Sequence, residues 1–255
     1  MDFKIYLIGR LIVAMLAFGL LSSILFALRQ AFAKLKVNEI RKRWFIGFVM
    51  GALILWLMIL GLLSLGGFFQ DFDKMPPRVM FATMPPLVVT LILLFSKKFR
   101  LILLATPPAW LVYIQAFRIL MELFLWLGFR GGYVPPQMTF AWLNFDIVVG
   151  LTAPMAGYVF FGTNRFFRFQ GLLWNFFGIA LLLNIILISV LSTPSQLQVF
   201  FNEPANRFVA DFPFIWIPGF IVPFALAMHL FSIKQLLMFN PNRRQFNLRR
   251  DSSGS

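Results

Sequence analysis

Arg118 and Glu122 stand four residues apart in an otherwise apolar run, QAFRILMELFLWLGF. On a helix that spacing puts both side chains on one face, where they can pair directly. Ionised groups inside an apolar span are costly and normally face the interior of a bundle. Asn144 and Asp146 open the next apolar run. A cluster of Arg118, Glu122, Asn144 and Asp146 has the chemistry to hold an anionic or zwitterionic solute on the guanidinium and to take up a proton on a carboxylate. The competing reading is a buried ion pair that only fixes helix register. A second polar set comprises Asn175, Asn184 and His229. Asparagines of this kind ordinarily bridge helices. The single histidine has the chemistry of a proton relay, against the plainer role of a hydrogen-bonded packing residue.

Other chemistries fail on inventory. The chain has no cysteine, hence no disulfide, thiol nucleophile or thiolate metal site. One histidine excludes a bis-His haem and a His-rich metal site, and neither HExxH nor Gly-x-Gly-Asp occurs. Ser192 and Ser195 fall at the opposite end of the bundle from His229, which removes a serine–histidine pair. Lys234 lies at the end of its segment, where lysine snorkels, and not in the middle where a retinal linkage would sit. The expectation is a protein with no catalytic set, no metal and no cofactor, and with a non-enzymatic role favoured over an enzymatic one.

These residues need apolar elements to position them. Of the 255 residues, 60% are hydrophobic and 13% charged, with a mean hydropathy of +0.83. A soluble domain cannot cover that much apolar surface. Segments 5–28, 44–68, 79–95, 101–127, 145–162, 171–191 and 212–239 meet or approach the roughly 20 residues that a bilayer core about 30 Å thick requires. Period-two alternation is absent, which excludes a membrane barrel. The sequence predicts an all-α polytopic membrane helix bundle, residues 1–240, with seven transmembrane helices and a polar tail at 241–255.

The basic residues alternate between connections. Arg29, Lys34, Lys36, Arg41, Lys42 and Arg43 crowd the first, Lys97, Lys98 and Arg100 the third, and Arg165 and Arg168 the fifth. With Lys234, Arg243, Arg244, Arg249 and Arg250, that side carries sixteen bases against Glu39 and Asp251. The other side balances six bases with six acids. The positive-inside rule then puts the amino terminus outside and the carboxyl terminus in the cytoplasm. Segment 79–95 reaches about 25 Å and contains Pro85 and Pro86, yet the alternation requires it to cross. Pro107 and Pro108 interrupt the fourth segment, and the carbonyls such prolines free must find other partners. Counted from Leu101, Arg118 lies about 26 Å along, in the outer half. The connections 129–144 and 192–211 read as ordered outer caps. The net charge of +14 sits in membrane-flanking loops, so anionic lipid near Arg29 to Arg43 is the expected partner and nucleic acid is not. Segment 29–43 reads either as an amphipathic helix on that leaflet or as a solvated basic loop. A small polar solute and a protein partner are the other candidate partners.

The second half resembles a family of uncharacterised bacterial multi-pass membrane proteins over about residues 115–236. The resemblance rests on Arg118-x-x-x-Glu122, Gln137-Met-Thr-Phe140, Asn144-Phe-Asp146 and Gly150-Leu-Thr-Ala-Pro154. It continues through Trp174-Asn175, Leu182-Leu-Asn184, Leu191-Ser192, Phe212-Pro-Phe214, Trp216, Ile221-Val-Pro223 and His229-Leu230. Where the family pattern continues Met-Thr-Phe with Glu-Gly-Arg, this chain has Ala141-Trp142-Leu143. The resemblance implies a seven-helix architecture in a bacterial inner membrane and no particular activity. The expected function is binding or transport of a small polar solute, ion or proton through the outer-half cluster. The alternative is a non-catalytic sensor or an assembly or scaffold subunit of a membrane complex.

Overall fold

A computed structural model describes residues 1–162 and 165–238. The tail at 241–255, with its four arginines, and Phe239 lie outside the described residues. Among those described there are helices and no strands. In chain order they are α1 (Phe3–Lys34), α2 (Glu39–Leu65), α3 (Met80–Phe95), α4 (Lys97–Ala105), α5 (Pro108–Tyr113), α6 (Phe117–Arg130), α7 (Ile147–Phe161), α8 (Arg168–Ser192) and α9 (Val222–Met238). A 3-10 turn, Ile114–Ala116, joins α5 to α6, and a π-helical turn, Ile217–Ile221, leads into α9.

Five helical stretches are long and apolar enough to cross a membrane: Phe3–Lys34, Glu39–Leu65, Pro108–Arg130, Arg168–Ser192 and Ile217–Met238. Met80–Phe95 and Ile147–Phe161 are shorter apolar helices. The protein is thus an all-α membrane protein. Its exposed residues include Trp44, Phe48 and Phe95 at 78%, 74% and 85% exposure, apolar surface that a bilayer covers and water does not tolerate.

Contacts sort the helix ends into two groups. At one end Asp2 N donates to Gly131 O (2.8 Å), Tyr6 Oη to Asp211 Oδ2 (3.0 Å), Ser64 Oγ to Ala210 O (2.7 Å) and Gln137 Nε2 to Ser192 Oγ (2.8 Å). At the other, Lys34 Nζ donates to Ala105 O (3.1 Å), and Phe99 meets Phe231 with ring centroids 4.6 Å apart. Of the five long stretches, the one containing α9 is the most enclosed. At the first end Tyr6, Phe124, Tyr133, Phe208 and Phe214 interlock through stacked and edge-on rings.

Two sequence expectations need correction. Segment 101–127 is not one helix. Pro107 has no N–H for the carbonyl of Leu103, so α4 stops at Ala105 and a fresh helix starts at Pro108. The freed carbonyls are met from elsewhere: Gln235 Nε2 donates to Leu103 O and to Thr106 O, both at 2.6 Å. Segment 29–43 is neither a separate amphipathic helix nor a loop. Its first part completes α1, which runs to Lys34, and its last part starts α2. The intervening turn has Lys36 at φ 50°, and Asn38 caps α2 by accepting from Ile40 N (2.9 Å). Phe32 is buried there while Ile40 is 68% exposed.

The last apolar segment is irregular where its prolines predict. Pro223 cannot donate to Gly219 O, and Trp56 Nε1 reaches across from α2 to do so at 2.9 Å. Trp216 Nε1 in turn donates to Leu57 O (2.9 Å). The first two turns of this segment are therefore held by indole N–H groups as well as by their own backbone.

Candidate functional site

The inward face of α6 carries Arg118, Met121, Glu122, Phe124, Leu125 and Gly128. Residues 118, 122 and 125 recur at helical spacing, which is why both ionisable groups turn into the bundle. Arg118 and Glu122 are each 1% exposed, Asn144 0% and Asp146 4%. The structure brings all four together, with a pairing that differs from the expected one.

Arg118 pairs with Asp146, not with Glu122. Its Nη1 lies 2.7 Å from Asp146 Oδ1 and 3.5 Å from Gly178 O on α8. No ion pair joins Arg118 to Glu122 among the described residues. Asp146 stands at the N-terminal end of α7, where the helix dipole favours an anion. One turn later Gly150 packs directly on α6. A Cβ there would lie 2.9 Å from Ile119 N and 3.3 Å from Arg118 Cβ, so any larger residue would push Asp146 away from the guanidinium.

Glu122 is held by Asn144. Asn144 Nδ2 donates to Glu122 Oε1 (2.8 Å) and Oε2 (2.7 Å), and also to Met138 O (3.0 Å). Its Oδ1 accepts from Asp146 N (2.9 Å). One asparagine thereby ties the Glu122 carboxylate and the Asp146 backbone to the connection between α6 and α7. The cluster holds two carboxylates and one guanidinium, so its formal charge is one negative unit in a water-excluded site.

The break at Pro107 also changes where the stretch that holds Arg118 begins. Measured from Pro108, Arg118 is about 15 Å along a stretch of about 34 Å, near the middle of Pro108–Arg130. His229 and Gly178 occupy the middle of their own helices, Ile217–Met238 and Arg168–Ser192.

The second polar set divides. His229 Nδ1 lies 2.9 Å from Asn175 Oδ1, and Asn175 Nδ2 donates to Gly171 O (2.7 Å) and Ser232 Oγ (2.9 Å). Asn184 stands apart, donating to Leu143 O (2.8 Å) in the cap. Further buried polar residues join these: Gln115, whose Nε2 donates to Ala225 O (3.0 Å), and Gln235, Gln137 and Ser192. Gln115 and Gln235 carry the same sequence signal as Asn175, an amide within an apolar run, and Gln115 is one turn from Arg118. Separately, a polar cleft of about 710 Å³ opens at the end that holds the N terminus. Gln70, Asp71, Gln196, Gln198 and Arg207 are among its lining, and no member of the cluster is. Near that end Tyr133, in the turn after α6, has its phenol pushed up to about 12 by burial.

The fold and the site define a helical membrane protein with a closed, charged polar cluster inside the bundle. The chain belongs to the family of a domain of unknown function, DUF8737, whose family model matches residues 76–237. That match takes in α3 to α8, nearly all of α9, and every residue of the cluster; α1 and α2 precede it. No curated protein and no solved structure matches the chain.

Proposed function

We propose that this protein binds or moves a small ion, the proton included, through Arg118, Glu122, Asn144 and Asp146. The observation that carries this reading is the excess carboxylate. Arg118 balances Asp146, while Glu122 is held only by an amide. An unbalanced buried charge costs several kcal/mol, so a proton or a cation must accompany it. Enclosure of all four residues at 4% exposure or less argues for an ion over a larger solute. The alternative is a non-catalytic sensor or an assembly or scaffold subunit. It draws support from Asn144, which locks the cluster to the α6–α7 connection through Met138 O. Purified protein in liposomes, assayed for ion and proton flux, separates the two. Glu122→Gln should abolish flux while the protein stays folded; flux equal to the wild type would make the cluster structural.

The membrane setting is a bacterial inner membrane crossed seven times, with the amino terminus outside and the carboxyl terminus in the cytoplasm. Support comes from the charge asymmetry and from the two groups of helix ends. Helices α3 and α7, 16 and 15 residues long, reach about 24 and 22 Å, a mismatch that local thinning of the bilayer accommodates. The basic α1–α2 turn then faces anionic lipid. Because the chain has no cysteine, single cysteines at Lys36 and Gln196 report sidedness directly. Labelling of both from the same side would overturn the topology.

A further inference from the structure

The polar cleft at the end that holds the N terminus is built by two connections. One wall is the α2–α3 connection, with Gln70, Asp71 and Asp73; the other is the α8–α9 connection, with Gln196, Gln198 and Arg207. Both walls are held in place. Arg78 pairs with Asp71 (2.7 Å), donates to Phe68 O (3.0 Å) and lies 4.9 Å from the Phe68 ring centroid. On the other wall Asn206 is fully buried, and its Nδ2 lies 2.8–3.1 Å from Ser189 O, Ser189 Oγ and Thr193 Oγ1. That ties the backbone beside Arg207 to the end of α8. Gln196 Nε2 reaches across to Asp73 O (3.5 Å).

The charges on these walls do not satisfy one another. Asp71 is neutralised by Arg78. Asp73 on one wall and Arg207 on the other are exposed, and neither has an ion-pair partner among the described residues. A single free carboxylate is too little for a divalent cation, which needs several oxygen ligands, and it opposes a simple anion on Arg207. One free negative and one free positive group on opposite walls of a cleft of about 710 Å³ are the complement of a zwitterion, and that volume is usual for small-molecule sites. The second wall also sets the level at which the cleft opens. Gln196 and Gln198 line it, while Leu197, Val199 and Phe201 alternate with them and are 44%, 58% and 78% exposed. Val199 N and Phe200 N donate to Leu191 O (2.9 and 3.0 Å), which folds this apolar edge back beside the last turn of α8. Apolar side chains exposed at the end of a membrane helix belong in the bilayer interface, so the cleft opens at the level of the lipid headgroups.

We infer that this cleft binds a zwitterion whose ammonium meets Asp73 and whose carboxylate or phosphate meets Arg207, supplied as a free solute or as the headgroup of an aminophospholipid. It is a second site, apart from the Arg118 cluster, and stands whether or not that cluster handles an ion. Gln70, Gln196 and Gln198 donate to Asp211 Oδ1, Asp73 O and Phe200 O (3.2, 3.5 and 3.0 Å), and their carbonyl oxygens are left to accept from an ammonium. Each charged contact at an exposed group is weak by itself. A ligand that meets both charges at once makes the second contact as an intramolecular step, which favours a zwitterion over either of its halves.

The test uses the full chain in nanodiscs of phosphatidylglycerol, a lipid with no amine. Labelled phosphoethanolamine should bind saturably, with glycine competing, while ethanolamine, inorganic phosphate and glycerol each compete roughly tenfold more weakly or worse. Arg207→Gln and Asp73→Asn should each weaken binding roughly tenfold, with thermal unfolding as in the wild type. In nanodiscs that also contain phosphatidylethanolamine, native mass spectrometry separates the two sources. That lipid bound to the wild type and lost from both variants marks the headgroup as the ligand; binding of free phosphoethanolamine alone marks a solute. Competition by inorganic phosphate or glycerol equal to that of phosphoethanolamine overturns the zwitterion assignment, however the variants behave. Absence of binding from both sources, or binding unchanged in either variant, overturns the site.

Discussion

Asp146→Asn and Glu122→Gln each replace one buried carboxylate by its amide, and the structure assigns them very different costs. Asp146 is the partner of Arg118 at 2.7 Å, with side-chain exposures of 6% and 1%. Neutralising it strands a guanidinium that has no other anion in contact and already leaves Nε and Nη2 without partners. Breaking a buried pair from one side costs about 3–5 kcal/mol. For a chain of this size that is a fall in Tm of roughly 6–20 °C, taking about 2–4 °C per kcal/mol. Glu122 has no cation within ion-pairing distance. Glutamine keeps one acceptor for Asn144 and removes an unbalanced charge, so the cost should stay within about 1 kcal/mol. The pair Arg118→Met with Asp146→Leu should recover most of the loss, because removing both partners strands neither member of that ion pair. Thermal unfolding in detergent, followed by tryptophan fluorescence, gives all three values. Glu122→Gln as damaging as Asp146→Asn would show that Glu122, not Asp146, neutralises Arg118, and the charge argument would fall with it.

Three further substitutions test how the broken helices are held. Gln235→Leu removes the donor to Leu103 O and Thr106 O and should cost about 1–3 kcal/mol; a neutral result by thermal unfolding would mean that these carbonyls find other partners. Trp56→Phe keeps the ring and deletes the N–H that serves Gly219 O, with a loss of about 1–3 kcal/mol expected in the same assay. Tyr133→Phe should be neutral or stabilising by up to about 1 kcal/mol, because its buried hydroxyl has no partner. Destabilisation by more than that would reveal a bond to the phenol.

Arg118 and Glu122 show how far spacing carries. An interval of four fixes the shared face, and both side chains do turn inward. Spacing on one helix says nothing of what the neighbouring helices present to that face. Gly150 lets α7 approach closely enough for Asp146 to take the guanidinium, and Asn144 captures Glu122 from the connection before it. Neither contact is encoded within α6. The prolines divide in the same way. Pro107 and Pro223 mark in the sequence which carbonyls are freed. That Gln235 and Trp56 serve them depends on α9 lying beside α4 and on α2 lying beside the π-helical turn. The basic hairpin between α1 and α2 was hidden for a different reason. Its polar residues mask helical segments that simply continue to Lys34 and restart at Glu39, with only a short turn between.

Asp146 also changes the charge map. Counted with the outer connections, it balances six bases with six acids and leaves Arg118 and Glu122 to neutralise each other. The structure places it 2.7 Å from Arg118, so it belongs to the interior. The side that carries the amino terminus then holds six bases against five acids, and the interior holds one positive group against two negative ones. The total of +14 is unchanged, but a balanced face and a neutral pair become a slightly positive face beside a negative centre. In water a shift of one charge has little consequence. In a site of low dielectric it is worth several kcal/mol and cannot be left uncompensated. The compensation cannot come from the basic loops, because they sit at the bundle's end, where solvent and counter-ions screen them within about 8–10 Å. On the ion-binding proposal it is a proton on Glu122 or a cation beside it, because Arg118 is already paired with Asp146.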